Sequence, residues 1–509
     1  MPQLHMPHHR FRLPRPAAFL LALFLTCPAH AQESADPVLA DAIEKQQIAF
    51  TGRLLRSGTN VNATQADGMT ALHWAVYHDQ THLTRQLIAA DAEVNCRTNF
   101  GISPLTIACQ NGSESTVRLL LDHGADPNTT RDGDESVLAT AARAANPDTV
   151  KALLTAGALI NRKDKKGQTA LMWAAADGND EVVKVLLQNE ADQSVTVQSG
   201  FTALTFAIRN GHNDVVKLLL NDDTDINQIL QRKRPGKTNP ATGMSLLMLA
   251  IENAHFELAV MLLQAGADPN DDRTGFAPLH ALSWVRKPEI GDNERGNPPP
   301  RGSGQVTSLE FAKVLVEHGA DVNLPKRNNS GRHLRISVKG ATPFLCAAST
   351  ADVAYMKTLL ELGADPTAVT SNKQNALLMA AGIDEGPNAD GPGTAAEHFA
   401  AVTYLLSLRI HKLDELDSNQ QSVMHAAAYK SLPHVIRLLD AEGANIKIWN
   451  RKNKQGRTPL DIARGHRPGN FKPDFDTERA LKDVMQKHGV KVPAPKTAAG
   501  SNKKDWNPQ

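Results

Sequence analysis

Few residues of this 509-residue chain stand at spacings that could support catalysis. Gly236-Lys237-Thr238 matches the end of a phosphate-binding loop, but that motif needs a glycine at position 231, where Gln231 stands. The segment also follows no strand–helix pattern, because it lies in a polar, basic stretch. We therefore predict no nucleotide site and no cofactor-binding residues.

Histidine is the commonest general base, and three histidines occupy the same place in a recurring phrase. These are His73, His280 and His425. In other copies of the phrase that place holds Thr106, Met172, Thr205 or Asp461, which a catalytic role would not allow. We expect structural histidines and no catalytic residues.

The cysteines also argue against covalent or metal chemistry. Beyond residue 31 only Cys96, Cys109 and Cys346 remain, an odd and small number that is not a disulfide framework. Their spacing matches no zinc site, so we predict no metal. Cys109 and Cys346 lie in apolar phrases, which indicates buried, inert thiols.

Composition favours a soluble chain with a core of Leu, Val and Ala. Hydrophobic residues make up 41% and aromatic residues only 5%, and the formal net charge is +1. A dedicated nucleic-acid binder is usually strongly basic, so we expect no nucleic-acid partner.

Residues 1–31 have the three parts of a secretory signal. Arg10, Arg12 and Arg15 precede the ten-residue apolar run AAFLLALFLT (17–26), which is too short to span a bilayer. Ala29-His30-Ala31 supplies the small residues that signal peptidase accepts. The alternatives are a cytoplasmic protein with an apolar start and lipid attachment at Cys27, although Phe24-Leu25-Thr26 is a poor lipobox.

Removal of the signal changes the charge of the chain only slightly. Taking its three arginines from 55 basic residues leaves 52 against 54 acidic ones, a formal net charge of −2. No later apolar run is long enough for a membrane span. The sequence therefore predicts a periplasmic or secreted protein without a membrane span in the mature chain.

The elements that would position any site come from one repeated phrase. Its copies are TALHWA at Thr70, SPLTIA at Ser103, SVLATA at Ser136, TALMWA at Thr169, TALTFA at Thr202, SLLMLA at Ser245, APLHAL at Ala277, TPFLCA at Thr342, NALLMA at Asn375, SVMHAA at Ser422 and TPLDIA at Thr458. The first five stand 33 residues apart. Regular spacing of this kind indicates a repeat array rather than separate globular domains.

Each copy predicts two short helices. The opening hydroxyl suits a helix N-cap, and the third and sixth residues, mostly Leu and Ala, share one helix face. A second apolar stripe such as VVKVLL (182–187) follows, and phrases such as Gly124-Ala125-Asp126 end the copy with a helix-terminating glycine. A polar segment, which we call a finger, then leads to the next copy.

This period and phrase resemble the ankyrin repeat, over about residues 36 to 490. The resemblance implies an all-α solenoid of about 11–12 helix-turn-helix-finger repeats. We divide the chain into a signal peptide (1–31), an N-terminal capping repeat (32–68), the solenoid (69–490) and a disordered tail (491–509). It also implies that the recurring histidine hydrogen-bonds within and between copies.

Four insertions interrupt the period, at 228–243, 285–305, 324–340 and 382–398. In solenoids such insertions emerge as loops on one face, often the binding face. The alternative is that surface loops tolerate insertions at low entropic cost. The sequence leaves both interpretations open.

In ankyrin proteins the fingertips and the exposed side of the first helices line a concave groove, and exposed apolar residues on a polar rim suit protein contacts. The candidates on fingers are Met69, Phe100, Ile102 and Phe201, and those on first helices are Tyr77, His78, Gln110, Asn111, Arg143, Asp177, Arg209, Asn210, Trp284 and Tyr429. Met69, Ile102 and Phe201 could instead only pack adjacent fingers together, and an insertion could cover Trp284.

The resemblance therefore favours a non-enzymatic scaffold with a protein partner. One alternative is an enzyme or ligand-binding protein whose site is built from insertions 285–305, 324–340 and 382–398, which lack paired carboxylates and metal-ligand spacing. Another is a secreted effector that binds a host protein.

The export signal makes a direct prediction. The mature protein should begin at Gln32, because cleavage is expected after Ala31, and N-terminal sequencing of protein from the native host checks this. Ala31→Trp should block cleavage, since signal peptidase accepts only small residues there. A soluble cytoplasmic chain that keeps Met1 would contradict the prediction.

Overall fold

The computed structural model describes residues 36–221, 224–230, 243–288, 299–327, 339–383, 392–466 and 473–494. Within these ranges the chain is an all-α repeat solenoid, in which helices contact each other in pairs and each pair contacts the next. The predicted fold class is confirmed. None of the described helices is both long and apolar enough to cross a membrane.

Twelve helix pairs are described, a first one over residues 38–56 and then one for each copy of the phrase. The first helices are α1 (Val38–Glu44), α3 (Ala71–Tyr77), α5 (Pro104–Asn111), α7 (Val137–Arg143), α9 (Ala170–Asp177), α11 (Ala203–Asn210), α13 (Leu246–Glu252), α15 (Pro278–Arg286), α17 (Pro343–Ser349), α19 (Ala376–Ala380), α21 (Val423–Tyr429) and α24 (Pro459–Ala463). The second helices are α2 (Ile48–Arg56), α4 (Thr81–Ala89), α6 (Glu114–Asp122), α8 (Pro147–Thr155), α10 (Asp180–Gln188), α12 (Asn213–Leu219), α14 (Phe256–Gln264), α16 (Ser308–Glu317), α18 (Val353–Glu361), α20 (Ala395–Ser407), α22 (Pro433–Ala441) and α25 (Phe475–Lys487).

Two features fall outside the helix pairs. A four-residue helix, α23 (Ile446–Trp449), lies in the finger between α22 and α24. The strands β1 (Ile229–Leu230) and β2 (Met244–Ser245) pair antiparallel, with Ile229 opposite Ser245, at the two ends of insertion 228–243. The insertion therefore leaves the array through a short ribbon.

The opening residue of the phrase caps the first helix. The side chains of Thr70, Ser103, Ser136, Thr169, Thr202, Ser245, Thr342, Asn375 and Thr458 accept a hydrogen bond from the backbone N–H three residues on. A cap of this kind contributes about 1 kcal/mol to its helix. Ala277 has no hydroxyl, and there the imidazole of His280 accepts from the Ala277 N–H at 3.1 Å.

Small residues allow neighbouring first helices to approach closely. The sixth position of the phrase is fully buried in every copy, from Ala75 and Ala108 to Ala427 and Ala463. Leu282, the one large residue at this position, is also 0% exposed. The core runs through all the pairs because each first helix packs its apolar face on the next one.

Asparagines join the fingers of neighbouring copies. The Asn95 side chain donates to the Gly124 carbonyl at 2.8 Å and accepts from the Asp126 N–H at 2.8 Å. Equivalent pairs of bonds are made by Asn62, Asn128, Asn227, Asn270 and Asn323. Each amide thus fixes the position of the next finger relative to its own.

Several segments named above lie partly or wholly outside the described residues. They are the signal peptide (1–31), Gly236-Lys237-Thr238 within insertion 228–243, the middle parts of insertions 285–305, 324–340 and 382–398, and most of the tail 491–509. The described ends of two insertions meet, because Lys287 forms an ion pair with Glu397. Ser303 bonds the imidazole of His255 at 2.9 Å.

The three described cysteines are free thiols. Cys109 and Cys346 are completely buried on α5 and α17. Burial raises the pKa of Cys109 far above its usual range and that of Cys346 to about 11. Burial thus disfavours the thiolate, the nucleophilic form, in both residues.

The stacked core predicts that shortening a buried leucine destabilises the chain more than shortening an exposed one. Leu171 is 2% exposed on α9, so Leu171→Ala should reduce the free energy of unfolding by roughly 2–5 kcal/mol through lost burial and a cavity. Leu159→Ala is the matched control, because Leu159 is 57% exposed and should cost less than about 0.5 kcal/mol. Urea melts of both variants measure this, and equal midpoints would contradict the assignment of the core.

Candidate functional site

The candidate site is the face formed by fingertips and by the ends of the first helices, which we call the groove. Tyr77 and Phe100 are 57% and 63% exposed, unusual values for large aromatic side chains. Gln110, Asn111, Arg143 and Arg209 are exposed, whereas Met69, His78, Ile102 and Phe201 are half-buried. These ten of the fourteen predicted residues therefore divide into an exposed set and a partly covered set.

An aromatic cluster forms the groove at the first copy. Tyr77 packs edge-on against Trp74, with ring centroids 5.5 Å apart, and His78 stacks on the same indole at 5.9 Å. The indole N–H donates to the Gln65 side chain at 2.6 Å, so the cluster is held from the finger side. The exposed ring of Tyr77 therefore stands on a fixed base.

Phe100 is presented by a fingertip whose backbone is bonded to the preceding fingertip. The Asn99 N–H donates to the Asp67 carbonyl of the preceding fingertip at 2.9 Å. At Gly68, φ is +87° and a Cβ would lie 2.9 Å from the Asn99 nitrogen, so only glycine allows the two tips to approach this closely. The Phe100 side chain is exposed, but its backbone is ordered.

A polar hollow of about 230 Å³ lies in the groove across the second to fourth copies. It is lined by Gln110, Arg131, Glu135, Thr140, Arg143, Ala144 and Asp177. Three of these, Gln110, Arg143 and Asp177, were predicted as groove residues from the repeat phase. The structure therefore brings together candidates that lie more than 60 positions apart in the sequence.

Arg143 is the central side chain of this hollow. Its guanidinium lies over the Trp173 ring at 4.6 Å, and its ion-pair distances to Glu135 and Asp177 are 3.8 and 3.6 Å. Glu135 is instead bonded closely by Arg131 at 2.6 Å. Both distances from the Arg143 guanidinium to these carboxylates are longer than a hydrogen bond. Its N–H groups can therefore still bind carbonyl or carboxylate oxygens of a partner.

Other candidates contact their own array. Phe201 packs on Phe206 at 5.4 Å, and the Ile102 carbonyl accepts from His73 at 3.0 Å. The Asn111 side chain donates to the Val76 carbonyl at 3.0 Å. The side chains of Ile102 and Phe201 are partly buried against the core, and the Asn111 amide joins copies one and two.

Of the further candidates, Asp177 lines the hollow and the Asn210 amide donates to the Ala176 carbonyl at 2.7 Å. Trp284 is half-buried and packs edge-on against Phe276 at 4.8 Å. Tyr429 is half-buried, and its hydroxyl bonds the side chain of Gln455 at 3.2 Å.

The sequence interpretation missed Trp74 and Trp173, which support Tyr77 and Arg143. A signal was present, because Trp74, Trp173 and Phe206 all occupy the fifth position of the phrase. That position lies beside the groove in the structure, and a large aromatic residue there supports the exposed residues near the end of a first helix. Glu135 was also missed, because the position just before the phrase is apolar or an amide in most other copies, and with it Arg131, which pairs with Glu135.

The recurring histidines use both ring nitrogens in the framework. In His425, Nδ1 bonds the Ser422 hydroxyl at 2.9 Å and Nε2 bonds the Arg451 carbonyl at 3.1 Å. His73 and His280 make the equivalent contacts to Ile102 and Ala341. These bonds run within and between copies, as the resemblance implied, and they occupy the nitrogens that a general base would need.

The described residues contain no group of three or more His, Cys, Asp or Glu side chains that could hold a metal ion. Burial lowers the pKa of His280 and of His425 to about 4. Glu252, at the end of α13, has its pKa raised to about 7 by burial. These shifts concern groups in different copies and do not form an acid–base pair.

Comparison with known families is consistent with this geometry. A family profile described as "Ankyrin repeats (3 copies)" matches residues 39–131 and 138–229. A second profile, described as "Ankyrin repeat", matches residues 242–273. The matched ranges contain every groove candidate except Trp284 and Tyr429, and every residue that lines the polar hollow except Glu135.

The buried histidines predict acid sensitivity. Between pH 6.5 and about 4 the unfolded chain binds protons at His280 and His425 that the folded chain does not, so stability falls as the pH falls. Each group contributes about 1.4 kcal/mol per pH unit in that window. Glu252 has the opposite effect on stability between pH 4.5 and about 7, because the folded chain keeps its proton while the unfolded chain loses it. Its contribution to the free energy of unfolding offsets that of about one histidine.

Thermal melts at about pH 7.5, above the titration window, and at about pH 6 and 5, within it, check this. The melting temperature of the wild type should fall with acidification, and it should fall less in His280→Gln/His425→Gln. A steeper fall in Glu252→Gln than in the wild type would confirm the opposing sign. An identical pH dependence in all three proteins would overturn the assignment.

Proposed function

We propose, from the ankyrin repeats matched at residues 39–131, 138–229 and 242–273, that this chain is a non-enzymatic scaffold, exported to the periplasm or outside the cell, that binds a protein partner in its groove. Ankyrin repeats support a role in protein–protein interaction. The single observation that supports this groove is the pair Tyr77 and Phe100, two large aromatic side chains exposed on a rigid surface.

The energetic argument rests on preorganisation. The Tyr77 ring stands on Trp74, and the Phe100 backbone is tied to the preceding fingertip, so little conformational entropy is lost when a partner covers them. Aromatic residues of this kind dominate the binding energy of protein interfaces. The Arg143 hollow adds directional hydrogen bonding next to them.

Export is supported by the sequence of residues 1–31, namely the three arginines, the short apolar run and Ala29-His30-Ala31. The absence of catalysis is supported by the structural use of the recurring histidines and by the protonated thiols.

The first experiment identifies the partner with a photocrosslinking amino acid. It is placed at Tyr77 or Phe100 in the groove and, as a control, at Phe475 of α25, which is 71% exposed on the last helix pair. In the native host the two groove positions should crosslink one common protein that Phe475 does not. Equal crosslinking from all three positions, or none from the groove, overturns the proposal.

The second experiment measures how much Tyr77 and Phe100 contribute to the affinity for the purified partner. Phe100→Ala or Tyr77→Ala should weaken binding by about 2 kcal/mol or more, with a change in stability below about 1 kcal/mol. Phe475→Ala is the matched control and should leave affinity unchanged. Calorimetry gives the affinities and urea melts give the stabilities.

A contrary outcome would place recognition elsewhere. If both groove variants bind normally and deletion of residues 289–298 abolishes binding, the insertions form the interface. Leu171→Ala should lose binding only as folding is lost, because its side chain is in the core.

A further inference from the structure

The finger before the last copy carries an unusual charge. Residues 445–457 (NIKIWNRKNKQGR), which we call the C-terminal finger, contain Lys447, Arg451, Lys452, Lys454 and Arg457 and no acidic residue. Four of the five side chains are exposed and Arg457 is half-buried. Every residue of this finger is described by the structure.

These cations lack partner carboxylates in the described part of the chain. The structure gives no ion pair for any of the five. Arg451 donates to the Lys447 carbonyl at 2.8 Å and Arg457 donates to the Gln455 side chain at 2.9 Å. The nearby carboxylate of Asp414, in the preceding finger, accepts from the backbone N–H of Asn445 at 3.0 Å.

The other strongly basic described finger is balanced by its neighbours. Residues 158–168 contain Arg162, Lys163, Lys165 and Lys166 together with Asp164. The preceding finger carries Asp132, Asp134 and Glu135, and its Gly133 carbonyl accepts from the Lys165 N–H at 3.0 Å. The finger before the C-terminal finger offsets less of its charge. Residues 411–421 contain Lys412 together with Asp414, Glu415 and Asp417, a formal net charge of −2, so the five cations of the C-terminal finger leave an excess of +3.

The C-terminal finger is also rigid. Trp449 is 2% exposed and anchors α23 in the core. The Arg451 carbonyl accepts from His425, and the Lys454 N–H donates to the Asn419 carbonyl of the preceding finger at 2.9 Å. The cations are thus carried on a fixed backbone, which reduces the entropic cost of binding an anion.

The contact between Gln455 and Tyr429 at 3.2 Å ties this finger to the groove side of the tenth copy. From the excess positive charge, the rigid backbone and this position, we propose that the C-terminal finger binds an acidic segment of a polypeptide partner. This inference rests on the proposed function, because it assigns a chemistry to part of the partner.

Two features favour a polypeptide over other polyanions. Lipid-binding surfaces insert exposed apolar side chains, and no large hydrophobic residue of 445–457 is exposed. Single-stranded nucleic acid is held by stacking on exposed aromatic rings, whereas Trp449, the only aromatic residue of this finger, is buried. Carboxylates on a chain need neither feature, since Lys and Arg bind them by charge and hydrogen bonds.

The test uses a fluorescein-labelled deca-glutamate peptide, with deca-glutamine as the neutral reference, and fluorescence anisotropy with the purified chain at low ionic strength. The variant Arg451→Gln/Lys452→Gln/Lys454→Gln should weaken peptide binding by about tenfold or more. The matched control Lys163→Gln/Lys165→Gln/Lys166→Gln removes the same charge from the balanced finger and should change affinity by less than about twofold.

A charge-reversal variant provides a second test of the same electrostatic attraction. Lys452→Glu/Lys454→Glu should weaken binding at least as much as the triple variant, because repulsion replaces attraction. Both side chains are exposed, so circular dichroism should show an unchanged fold. Equal loss in the 163–166 control overturns the proposal, because it would show a response to net charge alone.

Other polyanions are separate outcomes. If dodecathymidine or vesicles of phosphatidylglycerol and phosphatidylcholine in equal parts bind the C-terminal finger as tightly as deca-glutamate, the assignment to an acidic polypeptide is wrong. If groove crosslinking identifies a partner while the finger variants bind deca-glutamate normally, only this inference fails. If the finger responds as expected and the groove crosslinks nothing, the groove proposal fails instead.

Discussion

A single helix pair of this chain cannot bury its own apolar face, and every other feature follows from that constraint. Ala75, Ala108 and their equivalents are fully buried only because the next first helix lies against them. The same contact brings the Asn95 amide to the Gly124 carbonyl and the His73 imidazole to the Ile102 carbonyl. Burial and hydrogen bonding thus depend on the same neighbour, which makes the stacked array rigid.

Rigidity supports the proposed use of the groove as a binding surface. The residues that build the array and those offered to a partner are different side chains on the same helices. On α3, Leu72 and Ala75 face the core while Tyr77 is exposed at the end of the helix. A partner can therefore gain contact area without disturbing the stack, and the groove can vary from copy to copy at little cost in stability.

Variation along the groove gives the molecule distinct regions. Aromatic side chains are exposed at the first two copies, a hollow around Arg143 follows, and the C-terminal finger carries five cations. The described ends of the insertions join copies at another edge, where Arg286 contacts Asp352 at 2.7 Å and Lys287 pairs with Glu397. Those contacts use the insertion ends to connect the array rather than leaving them free.

The sequence by itself determined the fold, because a 33-residue period with a fixed phrase specifies caps, core positions and the order of helices. It also placed Tyr77, Phe100, Gln110 and Arg143 on the exposed side by repeat phase alone. The asparagine bridges could have been found too, since Asn62, Asn95, Asn128 and Asn161 keep the period. What only the tertiary structure decided is which candidates are available: Phe201 packs on Phe206, Asn111 bonds the preceding copy, and Arg143 lies over Trp173. Phase assigns a residue to a face, but availability depends on side chains from neighbouring copies, and those distances exist only once the repeats are stacked.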